Sequence, residues 1–106
     1  MPRFIVKLHD YYFEYSTIVD APVTHGMTLD EFESYYHSRY GDEGFGQLKG
    51  RMDRVNKKGT SAFDYASAED TLECNRAGLH GETLTVDEIY KAYCLHEPVL
   101  DGWIPS

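Results

Sequence analysis

Residues 28–40, Thr-Leu-Asp-Glu-Phe-Glu-Ser-Tyr-Tyr-His-Ser-Arg-Tyr, constrain the fold more than any other stretch. Thr28 and Glu31 form an S/T-x-x-E capping box, so the start of a helix is written locally. Asp30, Glu31 and Glu33 put negative charge near the amino end, where the helix dipole favours it. Leu29, Phe32, Tyr35, Tyr36 and Tyr40 recur at helical spacing and make one aromatic-rich face. Gly41 is a natural stop. A helix of this kind needs a core to cover its phenolic side, and the rest of the chain must supply it.

The amino-terminal residues offer a sheet. Residues 3–9 alternate, with Phe4, Val6 and Leu8 on one side and Ile5, Lys7 and His9 on the other. Residues 11–19 read as a second strand, paired to the first through a turn at Asp10. In it Phe13, Tyr15, Thr17 and Val19 share a face; the opposite face, with Tyr12, Glu14, Ser16 and Ile18, is expected to be the wetter one. Residues 20–27, punctuated by Pro22 and Gly26, read as a connection.

Gly41 to Gly46 reads as a glycine-rich break before a second helix at about residues 45–58. Phe45, Leu48, Met52 and Val55 form its apolar stripe, and Gly59 ends it. Residues 60–66 are expected to be a loop anchored by Phe63 and Tyr65. Ser67 opens a short helix with Arg76 in its last turn and Gly78 beyond. Thr85-Val-Asp-Glu repeats the capping signature and starts a helix carrying Val86, Ile89, Tyr90 and Tyr93. We read the repeat as two separate good helix starts rather than a duplicated unit, because capping boxes recur in unrelated helices.

The expected fold is therefore α+β: a short N-terminal antiparallel hairpin or small sheet packed against three to four helices. A chain of 106 residues suits a single compact domain, 1–106, with the tail 98–106 docked through Trp103. The expected core is Phe4, Val6, Leu8, Phe32, Tyr36, Leu48, Met52, Val55, Ile89 and Tyr93.

Charge narrows the functional classes. The chain carries a formal −8, which opposes non-specific binding to nucleic acid. Lys49, Arg51, Arg54, Lys57 and Lys58 supply five of its ten basic residues; with Asp53 their window carries +4 and the remainder −12. A solvated helix face is the plain reading of that window. A charge-separated surface that steers a partner is the sharper one. No signal peptide or membrane-spanning stretch is read, and Cys74 and Cys94 are expected to be free thiols in a cytoplasmic protein.

Catalysis and metal binding have thin support. Ser16, Asp20 and His25 are the right residue types for a Ser/His/Asp arrangement, but no G-x-S-x-G elbow accompanies them. Cys74, His80, Cys94 and His96 are the right ligand types for zinc, without the usual spacing. Gly41-Asp-Glu-Gly-Phe-Gly lacks the Lys and Ser/Thr of a phosphate-binding loop. No cofactor is expected.

The run Tyr15-Ser-Thr-Ile-Val-Asp-Ala-Pro-Val-Thr-His-Gly-Met-Thr-Leu-Asp-Glu-Phe, with Tyr35-Tyr36, Tyr40-Gly41, Ser67-Ala-Glu-Asp and Asn75-Arg76-Ala77-Gly78, resembles small uncharacterised proteins encoded by tailed phages of actinobacteria. The resemblance covers about residues 3–95. It departs at Tyr15, where that group carries an indole. It implies a phage-encoded cytoplasmic protein and brings no catalytic residues. The expected function is binding without catalysis to a host or phage protein partner, with inhibition of that partner as one form of it, and Asp30, Glu31, Glu33, Asp42 and Glu43 are the expected acidic contact residues. The alternatives are an assembly protein forming a homodimer through its tyrosine faces, and a small hydrolase built on the 15–26 loop.

Overall fold

The computed structural model describes residues 3–100 and 102–105. Its centre is a three-stranded antiparallel sheet in the order β1-β2-β3, with β1 Arg3–Leu8, β2 Tyr11–Ser16 and β3 Ala21–Pro22. Three helices follow: α1 Leu29–Lys58, α2 Ala68–Leu72 and α3 Val86–Ile89. The α+β fold class is as the sequence pattern implies.

β1 and β2 pair in strict register, Ile5 opposite Glu14 and Val6 opposite Phe13. The expected connection at 20–27 instead continues the sheet. Tyr15 pairs with Pro22, and Tyr12 exchanges both backbone hydrogen bonds with Met27 at 2.8 Å. On the far side of β1, Lys7 N–H donates to Gly59 O and Ser61 N–H to Ile5 O, both at 2.9 Å. These flanking segments satisfy edge groups that β1 and β2 would otherwise leave open.

Both faces of the sheet are covered. One carries Val6, Leu8, Phe13 and Tyr15 against Ala68, Leu72, Ala77, Leu84, Ile89 and Cys94. The other carries Ile5 and Tyr12 against Phe32, Tyr36, Leu48 and Val55 of α1. The expected wet face of β2 is therefore wrong: Tyr12, Glu14 and Ser16 are all buried. Ile18 and Val19, placed in the strand by sequence, lie beyond its end and are exposed. The core shifts accordingly toward Ile5, Phe13 and Tyr15, while Phe4, Met52 and Tyr93 are half-buried.

The capping box at Thr28 forms in full, and Gly59 closes α1 in a left-handed conformation. Within α1 the backbone breaks at Gly41, with φ 72° and ψ −171°. The limbs on either side lie along one another. His37 stacks on Phe45 with ring centres 4.9 Å apart, and Leu29 and Glu33 share a groove with Lys49, Met52 and Asn56. The partners run in opposite directions along the two limbs, so α1 is a helical hairpin. The second limb begins at Asp42 rather than near Phe45, which makes the expected glycine-rich break helical after Gly41.

Two further expectations change. α2 stops at Leu72 instead of running to Arg76. Asn75 takes over the turn: its amide donates to Leu72 O and Leu84 O at 2.7 and 2.8 Å and accepts from Leu84 N–H at 2.9 Å. The 60–66 loop is anchored not by Phe63, which is 78% exposed, but by buried Thr60, Ser61 and Ala62. Tyr65 does pack, edge-on against Phe4.

α3 begins with the second capping box, Thr85 and Glu88. It continues into a π-helical turn, Tyr90–Cys94, closed by Leu95 N–H donating to Tyr90 O at 3.1 Å. In the tail, Val99 and Trp103 exchange backbone hydrogen bonds at 2.8 and 2.7 Å, and Leu100 and Trp103 pack on the first core cluster. Asp101 and Ser106 of the expected docked tail lie outside the described residues. Among the described residues no helix is long and apolar enough to cross a membrane.

Candidate functional site

The alternation of β2 aims Glu14 at α1, and the helical spacing of Tyr35 and Tyr40 brings two phenols to meet it. Glu14 is 1% exposed. Tyr35 Oη donates to its Oε1, Tyr40 Oη donates to its Oε2 at 2.6 Å, and Arg3 lies 3.7 Å away. Burial, reinforced by the bond to Glu14, pushes both phenols above their ordinary range. A buried carboxylate needs such donors to offset its lost hydration. The cluster closes the joint between sheet and hairpin. Sequence reasoning missed it because a lone acid in an alternating strand reads as solvent-facing.

The outer side of the hairpin is different. Leu29, Glu33, Phe45, Leu48, Lys49, Met52 and Asn56 line a groove of about 280 Å³. Asp30, Glu33, Ser34, His37 and Phe45 line an adjoining hollow of about 380 Å³. Glu33 and Phe45 belong to both, so the two form one surface. Leu29 and Phe45 remain exposed on it.

The five acids expected at a contact surface therefore divide. Asp30 and Glu33 edge this groove. Glu31 is turned back to Thr28 N–H at 2.9 Å, and that backbone bond first, then the Thr28 hydroxyl, lowers its pKa. Asp42 meets His37 Nε2 at 2.5 Å across the Gly41 reversal. Glu43 is exposed beside it at the hairpin tip.

Ser16, Asp20 and His25 make their contacts with different neighbours, Asp20 through its backbone. Ser16 is buried in β2 and accepts from Ile18 N–H at 3.2 Å. His25 stacks between Tyr93 and His96, with ring centres 6.1 and 4.9 Å away. Its buried Nδ1 has no hydrogen-bond partner among the described residues. Asp20 holds a left-handed backbone, φ 54°, and its carbonyl accepts from Arg76 N–H at 2.6 Å.

The four candidate zinc ligands are likewise dispersed in environment. Cys74 is exposed and Cys94 buried, both as free thiols. Burial pushes the Cys94 thiol up to about 12, which disfavours the thiolate a metal requires. His80 is exposed beside Glu82, whose Oε1 accepts from His80 N–H at 2.6 Å. His96 faces His25. Among the described residues no group of three or more His, Cys, Asp or Glu is arranged to hold a metal ion.

Compared with protein-family models, with curated proteins and with solved structures, the chain matches none.

Proposed function

We propose that the chain is a non-catalytic docking protein and that the groove along the α1 hairpin receives a basic, amphipathic segment of another protein. The observation that carries this reading is the pairing of apolar and acidic groups on one surface. Leu29, Phe45 and Met52 offer an apolar floor, while Asp30 and Glu33 have no ion-pair partner among the described residues. Asp42 and Glu43 extend the negative charge to the hairpin tip. Helix-in-groove recognition uses such a floor for affinity and such a rim for orientation. The resemblance to phage-encoded proteins supports a host factor as the partner and a cytoplasmic setting. An inhibitor that occupies the nucleic-acid site of its target would carry this charge.

The test is capture from a host lysate with wild-type protein and two variants run in parallel, Asp30→Lys with Glu33→Lys, and Asp42→Lys with Glu43→Lys. A partner retained by the wild type and at least about tenfold weaker on the first variant, the equivalent of 1.4 kcal/mol, supports the groove. Equal retention by all three proteins overturns it. Sedimentation at low concentration separates the assembly reading: a dimer abolished by Phe45→Asp would mean that a second copy fills the groove. The hydrolase reading has less support, because Ser16 is engaged by Ile18 N–H while His25 stacks on Tyr93 and His96.

A further inference from the structure

The basic window left unassigned by the sequence does not form one uniform face. Lys49 lies on the groove just described. Arg51 and Arg54 turn instead into a separate cavity of about 250 Å³, lined by Arg3, Phe4, Arg51, Arg54, Ser61 and Phe63. Three arginines thus line one hollow of a chain whose net charge is −8.

Their partners distinguish them. Arg3 is shared with buried Glu14 at 3.7 Å. The ion pairs among the described residues are Arg3–Glu14, His37–Asp42 and Lys91–Asp87, so Arg51 and Arg54 have no carboxylate of their own; Arg51 is hydrogen-bonded to the Tyr36 hydroxyl. Arg54 is nonetheless held in place: its Nε donates to Ser61 O at 2.8 Å and its guanidinium lies 4.0 Å from the centre of the Phe63 ring. Lys58 Nζ fixes the same loop by donating to Phe63 O at 3.3 Å. Phe63 is thereby fixed at the mouth of the cavity with one face on a cation, yet it is 78% exposed. An aromatic ring left that bare has no explanation in the core.

We infer that this cavity binds a small aromatic phosphate ester, a nucleoside monophosphate in chemical class, with the phosphate between Arg51 and Arg54 and the base on the open face of Phe63. Guanidinium forks match phosphate oxygens in pairs, and base stacking on a protein aromatic is sequence-tolerant. The cavity lies slightly below the range of about 300–1,000 Å³ usual for small-molecule sites, which suits one nucleotide. Charge sets the same limit. A compact dianion feels the local arginines within the Debye length of about 8 Å, whereas a polymer would also meet the −12 carried elsewhere.

The experiment is titration calorimetry of the full chain with AMP, adenosine, inorganic phosphate and a short single-stranded oligoadenylate. AMP should saturate one site, with adenosine and inorganic phosphate each at least about tenfold weaker. Phe63→Ala, at an exposed position, should weaken AMP by about tenfold or more with an unchanged thermal melt, and Arg51→Gln should weaken AMP to a similar extent. The inference is overturned if AMP shows no saturable binding, if inorganic phosphate equals AMP, or if Phe63→Ala binds AMP like the wild type. An oligoadenylate at least about tenfold tighter than AMP would overturn the single-nucleotide assignment in favour of a nucleic-acid strand.

Discussion

Glu14 is the residue on which the joint between sheet and hairpin turns. Taking a carboxylate out of water costs several kcal/mol unless charged or hydrogen-bonding partners replace the solvent. Here two phenol hydroxyls and a nearby guanidinium do so. Hydrogen bonds to a charged group are stronger than neutral ones. Tyr40→Phe, which removes a donor to Glu14, should therefore destabilise by about 1.5–3 kcal/mol. Tyr93→Phe removes a neutral bond to Ala77 O and should cost only about 0.5–1.5 kcal/mol. Urea denaturation of both variants checks the order. A Tyr40→Phe cost no larger than that of Tyr93→Phe would mean that Glu14 is not held by charge-assisted bonds.

At the scale of the element, α1 is a hairpin because two glycines permit it. Gly41 holds φ 72° with an extended ψ, a combination open in practice to glycine alone. Gly44 sits where the limbs meet, and a Cβ there would collide with Tyr40 Cβ. Gly50, on the same second limb, has open space where its Cβ would go. The three alanine substitutions should therefore separate in sign. Gly41→Ala should cost about 1–3 kcal/mol from backbone strain, and Gly44→Ala about 1–3 kcal/mol from overpacking against a side chain that anchors Glu14. Gly50→Ala should stabilise by about 0.5–1 kcal/mol. Thermal melts of the three variants decide it; a uniform response would rule out the limb contact at Tyr40.

For the whole molecule, the governing fact is a sheet covered on both faces, with tyrosines distributed through both layers. Burial raises the pKa of Tyr15 and Tyr93 on one side and of Tyr35, Tyr36 and Tyr40 on the other. A phenol whose folded pKa exceeds its unfolded value of about 10 keeps its proton longer in the native state. The folded chain then binds more protons than the unfolded one above that pH, so stability falls as pH rises. The contribution is intact below about pH 10 and is lost through the interval up to the folded values. Phenolate absorbance should accordingly rise late, together with loss of the helical circular-dichroism signal. Full ionisation of all nine tyrosines before any helix is lost would contradict the two-layer burial.

What the sequence determined by itself is what neighbouring residues can settle among themselves. Both capping boxes, the α1 terminus at Gly59, the β1–β2 hairpin and the inward phenolic face of residues 28–40 each depend on contacts within a few positions, or on a period that repeats locally. What only the tertiary structure decided is which surfaces are covered from afar. A strand with one good apolar face is equally compatible with a wet reverse side; Glu14 is dry because Tyr35 and Tyr40, more than twenty residues on, fold over it. The cationic cavity has the same origin, since Arg3 is far in the chain from Arg51, Arg54 and Phe63 and meets them only when the 59–61 segment pairs with β1. Local propensity is carried by short-range bonds that the sequence displays, whereas burial is a property of the packed layers, and no single segment contains them.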